Sequence, residues 1–331
     1  MRTGSGTISS LITLEEHYSI PALLGKDKHG GSPAPGANPY SEFAEKLADL
    51  GERRISDMDS AGIDVQVLSL TSPGTEQMEP ADAVRVAGSV NDFVAAAIKM
   101  HPSRLAAFAA LPTSVPEKAA DELERTVKEY GFKGALVNGH SRGRYLDDRF
   151  FWPILERAED LNVPIYIHPT VPPKSVVDTY YAGQFNPDVI YAVSTSGWGW
   201  HIETAVHVLR LILGGAFDRY PGLQIIIGHL GEAIPFMMDR IDRRLPGELT
   251  KLDRPVSYYL RKNINYTISG FNFIPSFLNL LLQVGAERIM FSTDYPFLSM
   301  IEARDFLEHL PVSSADREKI AHSNAELLLH F

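Results

Sequence analysis

Apolar positions along the chain fall into two alternating rhythms. Short apolar runs, the pattern of buried strands, occupy 12–17, 65–70, 105–111, 133–139, 164–169, 223–229, 264–269 and 289–294. Between and after them, apolar residues recur every three or four positions over 43–61, 81–100, 116–130, 150–161, 201–217, 231–245, 274–284 and 313–329. These stretches predict amphipathic helices. Pro80 and Pro116 suit first helical turns, Ser114 and Ser313 suit caps, and Gly62, Gly131 and Gly285 stand where helices stop. Strict strand–helix alternation predicts an α/β fold in one domain over 1–331, a (β/α)8 TIM barrel rather than an open doubly wound sheet. No G-x-G-x-x-G opens the first helix, which further disfavours the open dinucleotide-binding sheet. Two long connections belong to the face where the strands end. One is the Gly- and Pro-rich 25–39, the other the aromatic-rich 170–200, and both read as lids, oligomer contacts or both.

The ends of the runs carry the chemistry. Glu15 and His17 are two residues apart on the first strand, so they share a face while Glu16 projects the other way. His168 and His229 end two later strands, and Asp294 ends the last. A lone histidine on an apolar run is usually a satisfied core residue. Four strands that each turn polar at the mouth of a barrel point instead to a metal site, with Glu15, His17, His168 and Asp294 as ligands. His229 heads His229-Leu230-Gly231-Glu232, where Glu232 is placed to orient its imidazole, so it reads as catalytic or as support for a ligand.

Composition narrows the setting. The chain has no cysteine, which excludes disulfides, thiolate metal sites and a cysteine nucleophile. A net charge of −10 argues against a nucleic-acid partner. No apolar run approaches the roughly 20 residues of a membrane span, and no secretory signal is visible, so a soluble cytoplasmic protein is expected. Asn265-Tyr266-Thr267 matches a glycosylation sequon but lies inside a predicted strand and reads as chance.

Six segments together resemble the amidohydrolase superfamily, in its amidohydrolase-2 branch. They are Leu14-Glu15-Glu16-His17, Ala107-Phe108-Ala109-Ala110-Leu111-Pro112, the run 131–139 ending in Val137-Asn138-Gly139, Ile167-His168-Pro169, Gly228-His229-Leu230-Gly231-Glu232 and Phe291-Ser292-Thr293-Asp294. The match is closest to the non-oxidative decarboxylases of ortho-hydroxybenzoates, of the γ-resorcylate and 2,3-dihydroxybenzoate type. The resemblance implies one divalent ion, Zn2+ with Mn2+ as the alternative, on Glu15, His17, His168 and Asp294, with His229 and Glu232 as the His–Glu pair. The fourth strand ends in Asn138 rather than lysine, so no carbamylated-lysine dinuclear site is implied.

On this resemblance the substrate is a small aromatic carboxylate. Asp294 delivers a proton to the ring carbon bearing the carboxylate, and His229 and Arg240 hold its oxygens. Asn138, Phe297, Tyr18 and Trp198 are further substrate-side candidates, and a homo-oligomer, dimer or tetramer, is expected. The connection 140–146 and the segment after Pro169 depart from the decarboxylase pattern, and both border the substrate. The same four ligands also suit hydrolysis of an ester, lactone, amide or C–C bond by a metal-activated water. Glu-x-His in place of His-x-His on the first strand leans toward decarboxylation. A third class, a binding protein on a retired barrel, is disfavoured by the intact ligand set.

Overall fold

The structure is a computed structural model that describes residues 8–20, 23 and 39–331. All of the predicted connection 25–39 except Pro39 lies outside the described residues. The strands are β1 (Ile12–Tyr18), β2 (Val65–Leu70), β3 (Leu105–Ala107), β4 (Ala109–Ala110), β5 (Ala135–Asn138), β6 (Ile165–His168), β7 (Ile225–Ile227), β8 (Ile264–Thr267) and β9 (Ile289–Met290). Each pairs in parallel with its neighbour in chain order, apart from the break between β3 and β4. These two are halves of one predicted strand that changes partners at Phe108. The Phe108 amide still donates to Leu68 on β2 (2.9 Å), whereas that of Ala109 donates to Gly134 beside β5 (2.8 Å).

The seam between β9 and β1 closes with few backbone bonds. His17 N donates to the Tyr295 carbonyl (2.7 Å), Glu15 N to Ser292 Oγ (2.8 Å) and Thr293 N to Glu16 Oε1 (2.9 Å). Glu16 therefore works on the outward side of β1, where Gln66 Nε2 also donates to it (3.2 Å) and the buried Arg54 donates to the His17 carbonyl (2.6 Å). The barrel predicted from alternation is the fold observed.

A bulge in β1 decides what faces inward. The register with β2 shifts between Thr13 and Glu16, so one extra residue is inserted there. Below the bulge, Ile12 and Leu14 pack with Val67, Phe108, Leu136, Tyr166, Ile226 and Met290 in an apolar floor. Above it, Glu15 and His17 take the inward positions. Ala325 and Leu329 join the floor from the C-terminal helical segment, closing the barrel's lower end.

The helices match the predicted pattern with instructive departures. The helix expected over 43–61 is two, Pro39–Ala48 and Glu52–Ala61, because Asp49 Oδ1 accepts from Gly51 N (2.8 Å) and turns the chain between them. Helices Val256–Lys262 and Met300–Glu308 have no counterpart among the predicted elements; both are short, so their periodicity is weak. The stretch 313–329 contains a π turn, Lys319–Ser323, which frees the Ile320 carbonyl to accept from Phe291 N (2.8 Å). The connection 170–200 is largely helical, with Pro187–Ser194 its longest α-helix. No described helix is long and apolar enough to cross a membrane.

Candidate metal centre

Every ligand predicted from strand ends converges at one point. Ligand atoms of Glu15, His17, His168 and Asp294 all lie within 4.8 Å of one another. His17 Nε2 is 3.2 Å from Asp294 Oδ1, and His168 Nε2 is 3.2 Å from Glu15 Oε1. Glu15 and His17 are fully buried, and Asp294 keeps a small exposure toward the mouth.

The second atom of Glu15, His17 and His168 is held by protein, which aims the first. Tyr166 and Ser269 hydroxyls both donate to Glu15 Oε2. His168 Nδ1 donates to Asn138 Oδ1 (3.0 Å), and His17 Nδ1 meets Ser69 Oγ (3.3 Å). These contacts leave the two Nε2 lone pairs facing the centre. Glu15 Oε1 and His17 Nε2 are fully buried with no hydrogen-bond partner, a costly condition for polar atoms unless a cation takes them. Two neutral imidazoles and two carboxylates, with no thiolate, make a donor set that a divalent metal ion fits.

Electrostatics separates the groups. Burial would raise the Glu15 carboxyl. The charge of His229 leads the effects that outweigh it, holding Glu15 well below the usual carboxylate range. Burial, then the Glu15 charge, push the Asp294 carboxyl up to about 7. Burial pulls His17 down to about 4 and also lowers His168.

His229 lies across Glu15 from His17, its Nε2 3.6 Å from Glu15 Oε1. Its Nδ1 pairs with Glu232 Oε1 (2.8 Å), in keeping with the sequence spacing. Burial pulls its imidazole down, but the Glu232 and Glu15 charges outweigh that and lift it to about 10. The helix expected to begin at 231 begins at Ile234 instead. The intervening residues His229, Leu230, Gly231, Glu232 and Ala233 all have positive φ, and so does Asp294 at 63°. Left-handed backbone costs a residue other than glycine about 1–2 kcal/mol. Its concentration at His229, Glu232 and Asp294 places strain where the chemistry is.

The substrate-side candidates divide. Phe297 lies 5.7 Å from the His17 ring, centroid to centroid. Asn138 is buried with its amide oxygen on His168, so it serves that ligand instead of facing the mouth. Tyr18 is a correction. Alternation turns it opposite to His17, and it is fully buried with its hydroxyl on the Val90 carbonyl (3.4 Å). Arg240 lies exposed on the helix Ile234–Arg244, away from that helix's buried stripe of Ile234, Pro235 and Met238, where it is open to a neighbouring subunit. Trp198 is half exposed at the start of helix Gly199–Leu213.

The amidohydrolase family profile matches residues 29–331. The γ-resorcylate decarboxylase of Polaromonas sp. (strain JS666) is 39% identical over 96% of this chain and 97% of its own length. The chain belongs to the amidohydrolase family. A crystal structure of dihydroxybenzoic acid decarboxylase from Polaromonas sp. JS666, with bound manganese and the inhibitor 2-nitroresorcinol, is 38% identical. It superimposes with a TM-score of 0.89 over 97% of both chains. The structure of 2,6-dihydroxybenzoate decarboxylase complexed with 2,6-dihydroxybenzoate gives 0.86 at 35% identity, covering 97% of this chain and 99% of that one.

Several residues of this amidohydrolase's site escape sequence reasoning. Tyr166 and Ser269 hold Glu15; the first is findable, since it stands two residues before His168 on the same strand face. His201 reads in the sequence only as a helix start. Its Nδ1 meets Glu232 Oε2 (2.6 Å) and its Nε2 donates to the Ser196 carbonyl (3.0 Å), so one carboxylate ties two imidazoles to the 170–200 connection. Phe271 packs edge-on against both, 5.2 Å from His229 and 4.9 Å from His201. Neither residue ends an apolar run, so nothing local marks them.

Proposed function

We infer that this amidohydrolase is a metal-dependent, non-oxidative decarboxylase of an ortho-hydroxybenzoate-type aromatic acid, a carboxy-lyase that releases CO2. The observation that carries the reading is the asymmetric centre itself. Four ligand residues gather around two unpartnered buried atoms, Glu15 Oε1 and His17 Nε2, with Asp294 on one side and His229 on the other. The two relatives with 2-nitroresorcinol and 2,6-dihydroxybenzoate show the ligand class that homologous sites take.

The ion supplies Lewis-acid attraction for substrate oxygens and a fixed point for orienting the ring. We favour manganese over the zinc expected first, because the Polaromonas neighbour holds manganese and the donor set suits it. Phe271 and Phe297, on the His229 and His17 sides, are positioned to bracket an aromatic ring. His229, held as an imidazolium by Glu232, attracts the anionic oxygens. Asp294 has its proton affinity raised by burial and by Glu15, so it can carry a proton near neutrality. It gives this proton to the ring carbon that bears the carboxylate. The bond from that carbon to the carboxylate then breaks, its electron pair restores the ring's aromaticity, and CO2 departs. Asp294 regains a proton from solvent.

Incubating the manganese-loaded enzyme with hydroxybenzoates in D2O tests the reading. CO2 release with one deuteron on the ring carbon that lost its carboxylate is expected. Solvent oxygen in a cleaved acyl product would replace decarboxylation by hydrolysis. We further propose that exposed Tyr180, Phe185, Trp198, Phe236 and Leu282 serve contacts of a homo-oligomer, dimer or tetramer.

A further inference from the structure

A buried carboxylate that the mechanism does not use sits one layer behind His168. Glu76 lies in the connection after β2 and is 1% exposed. Its Oε1 accepts the backbone N–H of Asn138 (2.8 Å), and its Oε2 is buried with no hydrogen-bond partner. Asn138 carries the amide whose oxygen receives His168 Nδ1–H. Its Nδ2 points the other way, toward the Leu70 carbonyl (3.4 Å). Gly74 lets the two side chains approach. A Cβ there would fall 2.3 Å from Glu76 Oε2 and 2.5 Å from Asn138 Nδ2, and its φ of +62° also suits glycine.

The consequence lies in the two ends of an amide. With Nδ2 beside acceptors and Oδ1 beside His168, only the Nδ1–H tautomer of His168 is satisfied, and Nε2 keeps its lone pair for the centre. A reversed amide would present N–H groups to Nδ1, move the histidine proton to Nε2 and remove a ligand. Leu70 supplies one acceptor at long range; the Glu76 carboxylate is the stronger acceptor beside the same NH2 group.

We propose that Glu76 is a positioning residue that fixes the orientation of the Asn138 amide and, through it, the metal-binding tautomer of His168. The chain of contacts runs from the loop after β2 across to the end of β5 and on to the end of its neighbour β6, so three parts of the barrel rim set one lone pair. This inference rests on the metal reading of the site but not on the reaction assigned to it.

Glu76→Gln separates orientation from packing. Its carbonyl can still accept from Asn138 N–H, but its NH2 faces the Asn138 NH2, which favours the reversed amide. Mn2+ affinity, read from the EPR signal of free Mn2+ during titration, should fall about 10–100-fold, the usual effect of losing such support behind a ligand. In the metal-free variant, 15N NMR should show the His168 proton moved toward Nε2. The double variant Glu76→Gln/Asn138→Asp exchanges amide and carboxylate between the two positions. The amide now at position 76 can donate to the carboxylate now at position 138, which again accepts from His168, the carboxylate–histidine–metal arrangement in which a bound ion keeps the imidazole neutral. Affinity should return to within about threefold of wild type, a recovery that a merely structural role would not give. Wild-type Mn2+ affinity and tautomer in Glu76→Gln would overturn the proposal. So would a double variant that binds as weakly as the single one, or a Glu76→Gln protein whose misfolding the second substitution does not correct. Failure of the wild type itself to bind Mn2+ would instead refute the metal reading.

Discussion

His168 and His229 begin as equivalents. Each follows an apolar strand, each is buried, and each turns Nε2 toward Glu15 Oε1, at 3.2 and 3.6 Å. They differ in what the other nitrogen meets. His168 Nδ1 faces a neutral amide oxygen, and burial keeps its imidazole uncharged. His229 Nδ1 faces the Glu232 carboxylate, which with Glu15 overcomes burial and lifts it to about 10. The same residue type is thus a lone-pair donor at one strand end and a cation at the next. Histidine's role here is assigned by its neighbour on the far side of the ring.

The largest expected contrast comes from truncating each in turn. His168→Ala should lose both bound metal and turnover, whereas His229→Ala should keep stoichiometric metal and lose turnover about 10²–10³-fold. Metal analysis beside steady-state rates decides it, and equal metal loss in both variants would erase the distinction. Asp294→Asn comes next, because it keeps size and an oxygen ligand while removing the proton. Turnover should drop by about 10²–10⁴-fold, with metal at least partly retained. Unchanged turnover would remove Asp294 from the acid role.

Glu232→Gln makes the surroundings of His229 resemble those of His168. Losing one charge-assisted bond should raise KM for an aromatic carboxylate about tenfold while leaving metal content alone. An unchanged KM would mean the imidazolium does not hold substrate. The smallest effect is on stability. Burial pushes the Glu76 carboxyl, on the His168 side, up to about 7 from 4.5. The native state therefore binds more protons than the unfolded state in that window, so Glu76's contribution is full below pH 4.5 and is lost as pH rises through about 7. Between about pH 5 and 8 the metal-free wild type should lose on the order of 3 kcal/mol more than Glu76→Gln in urea unfolding. Parallel pH profiles would show that the group does not ionise in the folded chain.

Much of this is legible in one dimension. Parallel strands buried on both faces are near-continuous apolar runs, and a polar residue at the end of such a run has only the barrel mouth to occupy. That logic locates Glu15, His17, His168, His229 and Asp294 without any contact information, and spacing alone pairs His229 with Glu232. The sequence by itself therefore determined the barrel, its polar mouth and the four residues that gather there as candidate ligands. Alternation along the first strand already turns Tyr18 away from His17, whereas tertiary structure alone decided which way Arg240 turns, and it assigned Asn138 to His168. It brought His201, Phe271 and Glu76 to the site from a helix start and two loops. The β1 bulge also lay beyond sequence reading, and it lets apolar Leu14 and polar Glu15 both face inward. The physical reason is range. Periodicity records which face of its own element a residue takes, whereas a histidine's charge and tautomer depend on partners such as Asn138, 30 residues from His168, and His201, 31 residues from the Glu232 it shares with His229.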